Sequence, residues 1–159
     1  MIGSKGIVKF AALAIVAAGC GGSSSIGGLD AEHIYTFTLV QSQEVPSPTP
    51  TNASGAALIV VYPDSVTYQI AAAQMVALTM AHIHSGAPGV AGPIVVTLFA
   101  PATPLATSNG IFASGSITQS TLGGSMTLAD FKTLLASGNA YVNVHTTINP
   151  SGEIRGQVK

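Results

Sequence analysis

His33-Ile-Tyr-Thr-Phe-Thr-Leu-Val40 alternates the large apolar residues Tyr35, Phe37 and Leu39 with Thr36, Thr38 and Val40. Successive side chains of a strand point to opposite faces, so a period of two reads as a strand with one face buried. A Pro-rich loop, Val45-Pro-Ser-Pro-Thr-Pro50, ends it. Working outward, further β-like runs fall at 56–62, 66–71, 76–84, 94–99, 111–118, 141–146 and 153–158. Turn chemistry separates most of them, at Pro63-Asp64, Gly86-Ala-Pro-Gly89, Gly92-Pro93 and Asn149-Pro-Ser-Gly152. About eight short strands at this spacing predict an all-β antiparallel sandwich or barrel. One segment breaks the period. Thr127-Leu-Ala-Asp130 reads as a helix cap, followed by Leu128, Phe131, Leu134 and Leu135 at helical spacing and closed by Gly138. A helix of about ten residues there would cover one opening or edge of the sheet.

Composition agrees with a thin-layered β domain. The chain has 159 residues, enough for one domain, with 18 Gly, 9 Pro and no Trp. Hydrophobic residues make up 47%, and only 7% are charged, which excludes a highly charged disordered chain. The formal net charge of −1 leaves no basic footprint, so no nucleic-acid partner is expected.

The first nineteen residues read as an address. Lys5 and Lys9 precede an apolar run from Phe10 to Ala18, too short to span a bilayer permanently, and Gly19-Cys20 closes it. Small residues directly before the sole cysteine resemble a bacterial lipoprotein signal, with Ala17 where that pattern prefers Leu, Val or Ile. Residues 1–19 are therefore expected to be a signal peptide, Cys20 the lipidated first residue, 20–30 a flexible tether and 31–159 the folded domain. Acyl chains would hold the domain to a membrane, extracytoplasmic in a bacterial cell envelope, at the outer membrane or facing the periplasm if the cell has two membranes. With its one thiol carrying lipid, the domain would have no disulfide and would rely on packing.

Chemistry concentrates in three histidines. His82 and His84 are two apart in a strand and so share a face, with Met80 on the same side, and His145 sits in a later strand. Two imidazoles from one strand and a third from a neighbour are what a copper or zinc site needs. The alternative is a hydrogen-bonded network in which Asn143, Glu153 and Arg155 partner the rings or one another. Glu153 and Arg155 also stand two apart, and a buried guanidinium can hold several carbonyls and a carboxylate at once. His33 is expected to face solvent or a sheet edge. No nucleophile elbow, phosphate loop or supported carboxylate pair occurs, so no catalytic residue is expected.

The set Ala81-His-Ile-His84, Gly86-Ala-Pro-Gly89, Gly92-Pro-Ile-Val-Val96, Tyr141-Val-Asn-Val-His-Thr146 and Asn149-Pro-Ser-Gly-Glu-Ile-Arg-Gly-Gln157, with Gln43-Glu44-Val45-Pro46 at the first strand, closely resembles the CHRD domain. That resemblance covers about residues 33 to 158. It implies an immunoglobulin-like β-barrel with limited similarity to copper/zinc superoxide dismutases, and it implies little about activity. The dismutase likeness makes the His82-x-His84 pair suggestive of copper, but the ligands of a second zinc site and the dismutase disulfide are missing, so dismutase activity is not expected. The leading expectation is a non-enzymatic, lipid-anchored binding or structural module without a cofactor, its partner an envelope protein or glycan at loops 45–55 and 100–110. The second is a copper- or zinc-binding protein using His82, His84 and His145.

Overall fold

The computed structural model describes residues 30–159. The expected signal peptide, Cys20 and the tether up to residue 29 lie outside the described residues. Seven antiparallel strands and one helix follow: β1 (His33–Leu39), β2 (Ser54–Val61), β3 (Val66–Ser85), β4 (Ile94–Phe99), β5 (Leu105–Ile117), α1 (Leu128–Ala136), β6 (Ala140–Thr146) and β7 (Ile154–Gln157). The pairing path is β1-β2-β3-β6-β7, with β4 and β5 also joined to β3. Val40 and Arg155 exchange backbone hydrogen bonds of 2.9 and 3.1 Å. That bridge links the two ends of the path into a nearly closed barrel, as the strand pattern predicts.

The runs at 66–71 and 76–84 are one strand, so seven strands stand where about eight runs were read. The first half of β3 pairs with β2 and β5, and the second half with β6 and β4. Between them the register shifts after Ala72, and Gln74 and Ala77 take left-handed φ values of 56° and 53°. Such bulges turn the strand while the ladder continues on either side, which local polarity does not announce. The Gln74 N–H donates to Asn109 Oδ1 across the bend at 2.8 Å. β5 also starts six residues before the expected run, because Thr107 and Ser108 complete the ladder opposite Val76 and Met75 despite their polarity.

The apolar core gathers Leu39, Ile59, Ile70, Ile83, Val142, Val144 and Ile154 from the strands, all fully buried. α1 closes one end, burying Phe131 and Leu135. Its start is the capping box that Thr127 and Asp130 predict, with the Asp130 N–H donating to Thr127 Oγ1 at 3.0 Å. Gly138, at φ 70°, supplies the left-handed residue after its last turn. Lys132 donates to the Pro63 carbonyl and pairs with Glu32 at 2.7 Å, seating α1 beside the β2–β3 turn and the start of β1. Among the described residues no helix is long and apolar enough to cross a membrane.

Candidate metal centre

β6 departs from half-buried alternation, since all seven of its residues are buried. One face carries Val142 and Val144 into the apolar core, so the other must be buried against something else. Register supplies the contents of that second face: His82 stands opposite Asn143, His84 opposite Tyr141, Met80 opposite His145, and Arg155 and Gln157 opposite Asn143 and Tyr141 on β7. Residues directly opposite in an antiparallel pair share a face, so histidines, amides and a guanidinium line one side while Ala81, Ile83 and Ile154 line the other. The connection between β3 and β4 folds over the polar side. Its carbonyls at Ala87 and Val90 accept from Arg155 at 3.0 and 3.1 Å, and the Gly86 carbonyl accepts from Gln157 at 2.8 Å. Gly92 is required where this loop returns, because a Cβ there would overlap the Ser85 carbonyl.

One ring nitrogen each from His82, His84 and His145 lies within 4.8 Å of the other two. The three residues are 4%, 8% and 7% exposed. Backbone carbonyls fix two tautomers, since a carbonyl can only accept. His84 Nδ1 lies 2.8 Å from the Gly92 oxygen and His145 Nδ1 2.9 Å from the Pro150 oxygen, so each Nδ1 carries the hydrogen and each Nε2 a lone pair. His82 Nδ1 donates to the His145 lone pair at 3.0 Å, and His84 Nε2 is buried without a hydrogen-bond partner. A carbonyl on the far nitrogen of each ring is how metal-binding histidines are commonly oriented.

Electrostatics hold the rings neutral. Burial pushes His82 down to about 4, helped by charge on His145 and His84. His84 is also lowered, chiefly by burial, with the Gly92 carbonyl and the Asn143 side chain pulling up and Arg155 pushing down. His145 is lowered by burial against the Pro150 carbonyl. Neutral imidazoles are the form that binds metal ions.

Arg155, 1% exposed, stacks on Tyr141 with its guanidinium carbon 3.4 Å from the ring centroid, and Tyr141 lies nearly parallel to His84 at 4.8 Å. Burial lowers the Arg155 pKa, opposed by Tyr141 and Glu44. Glu44 follows a single 3-10 turn after β1, and its carboxylate packs against Gly152, whose φ of 132° and absent side chain admit it. Its Oε1 has no hydrogen-bond partner, and burial raises the group to about 7 against the pull of Arg155, the Val45 N–H and the Asn143 side chain.

The residues singled out in sequence therefore part company. His82, His84, His145 and Asn143 meet, with Asn143 Oδ1 3.0 Å from His145 Nε2. Glu153 partners neither Arg155 nor the histidines, contrary to that expectation; Thr51 Oγ1 donates to it at 2.5 Å and Thr146 Oγ1 donates to its other oxygen. Threonines reach it because Glu153 precedes β7 and lies beside the loop from Thr49 to Ala53, which Asn149 also fastens through the Thr49 backbone. Met80 is 39% exposed, unlike the rings it was grouped with. His33 is exposed on β1, beside Tyr35. Sequence reading missed Glu44, Tyr141, Gln157 and the carbonyls of Gly92 and Pro150. A carboxylate is a signal in a chain with six acids, but backbone oxygens carry none.

Fold and site together define a nearly closed all-β barrel with a buried imidazole cluster on its polar side. The CHRD domain family matches residues 35–158, and the chain belongs to that family. No curated protein and no solved structure matches the chain.

Proposed function

We propose that this chain is a lipid-anchored, extracytoplasmic CHRD module that holds a copper or zinc ion through His82, His84 and His145, without catalysing a reaction. The observation that carries the metal reading is the convergence of three buried imidazoles within 4.8 Å, two of them, His84 and His145, with tautomers fixed by carbonyls, and His84 with an unpartnered lone pair. Such a set suits copper or zinc, which take imidazole nitrogen readily. The ion would supply the positive charge that lets these lone pairs share one buried space. The residues do the rest: Gly92 and Pro150 orient two rings, and the Arg155–Tyr141 stack packs the His84 ring in place. The anchor rests on the Gly19-Cys20 junction behind an apolar run.

Titration with copper(II), copper(I) and zinc, with metal content by mass spectrometry, tests this reading. Submicromolar one-to-one binding is expected, lost in a folded His82→Ala/His84→Ala variant. Equal weak binding by both proteins would refute it. Cys20→Ser should abolish incorporation of labelled palmitate and release the protein from membranes; retention of both would refute the anchor.

A further inference from the structure

Asn143 stands opposite His82 on β6 and is 3% exposed. Its Oδ1 lies 3.0 Å from His145 Nε2. His145 Nε2 is an acceptor, because its Nδ1 hydrogen is committed to the Pro150 carbonyl. An amide oxygen is also an acceptor, so this contact sets lone pair against lone pair. Turning the amide over would bring its oxygen towards Glu44, a carboxylate with an unpartnered oxygen of its own. Where Glu44 is ionised, above about pH 7, it favours the amide NH2 on its own side and the amide oxygen on the histidine side. His145 Nε2 and Asn143 Oδ1 then face each other as acceptors, and His82 Nδ1 supplies the one hydrogen to His145 Nε2; a cation bound among the three imidazoles would take these lone pairs once that hydrogen moves to His82 Nε2.

We infer that Asn143 Oδ1 is the fourth donor of the metal centre and that it closes the coordination shell around a borderline divalent ion, zinc(II) or copper(II), in preference to copper(I). This rests on the reading of the histidine cluster as a metal site. Three imidazoles with a neutral oxygen suit zinc(II) and copper(II), whereas copper(I) favours thiolate and thioether sulfur. Four protein donors also match closed structural zinc sites, while catalytic sites keep one position for water or substrate. Asn143 thereby selects the ion, and the closed shell holds it in place.

The test compares wild type, Asn143→Ala, Asn143→Asp and His84→Ala, each titrated with zinc(II), copper(II) and copper(I) against a competing chelator. Electron paramagnetic resonance of the copper(II) forms reads the donor set, and circular dichroism of the metal-free proteins reads the fold. Asn143→Ala should weaken zinc(II) and copper(II) about 10- to 100-fold, shift the copper(II) spectrum and leave copper(I) within about threefold. Asn143→Asp, nearly the same shape, should bind zinc(II) at least as tightly as wild type, and it serves if the alanine variant does not fold. Unchanged zinc(II) affinity and copper(II) spectrum in Asn143→Ala, with His84→Ala defective, would overturn the fourth donor alone. Equal loss of all three ions in Asn143→Ala, or loss of zinc(II) in a folded Asn143→Asp, would overturn it too. A wild type that binds none of the three would overturn the metal centre itself.

Discussion

Replacing Glu44 by Gln should change how stability depends on pH, and in a direction opposite to the usual surface carboxylate. Glu44 is 5% exposed, and its pKa is raised from 4.5 to about 7 by burial. Below 4.5 both the folded and unfolded chains hold its proton, and the group is neutral in stability. Between 4.5 and 7 the unfolded chain releases the proton and the folded chain keeps it, so stability falls as pH rises. Above 7 the full penalty remains, about 3 kcal/mol for a shift of this size at about 1.4 kcal/mol per unit. His82 acts in the reverse sense. With its pKa lowered to about 4, the unfolded chain gains a proton first as pH drops below 6.5, and stability is lost down to about pH 4. The two slopes offset each other between about pH 4.5 and 6.5 in the wild type. Glu44→Gln removes one of them. The variant should exceed wild type by about 3 kcal/mol at pH 8.5, roughly 10 °C in melting temperature for a domain of this size, and the gain should vanish by pH 4.5. Urea unfolding of both proteins from pH 4.5 to 8.5, with chelator present to remove metal linkage, measures the difference. A difference independent of pH, or a variant less stable at pH 8.5, would refute the assignment of a buried Glu44 carboxylate whose neighbours do not offset its desolvation.

Two further substitutions probe the buried guanidinium and the helix cap. Arg155→Met removes the donor to Ala87, Val90 and Gln157 and the charge facing Glu44, and should cost about 3–5 kcal/mol by chemical denaturation. A cost below 1 kcal/mol would show that the guanidinium is dispensable under the loop. Thr127→Ala breaks the capping box of α1 and should cost about 1 kcal/mol while metal binding stays at the wild-type level; a change in metal affinity would show that the start of α1 is coupled to the histidine cluster.

Strand alternation and turn residues place most of the barrel in sequence because they are local properties: Tyr35 and Leu39 face inward, and Thr127 with Asp130 caps α1. They fail at the bend of β3, since positive φ at Gln74 and Ala77 is imposed by pairing with β5 and by the Asn109 side chain, partners more than thirty residues away. The candidate site divides in the same manner. The His82-x-His84 spacing puts two rings on one face within a single strand, and that much needs no tertiary information.

Everything else about the centre depends on register. The pairing of Met80 with His145 and of His82 with Asn143 fixes which side chains meet, and a slip of one residue on β6 would send His145 and Asn143 to the apolar face. Local patterning alone specifies a small β domain, its capped helix and a pair of histidines able to act together. That His145 joins them, that Glu153 goes to threonines instead of Arg155, and that Glu44 is buried beside Gly152 are matters of long-range contact. Those outcomes follow from which distant backbones hydrogen-bond and which loop covers the polar face, and burial then fixes tautomers and charges that no local spacing encodes.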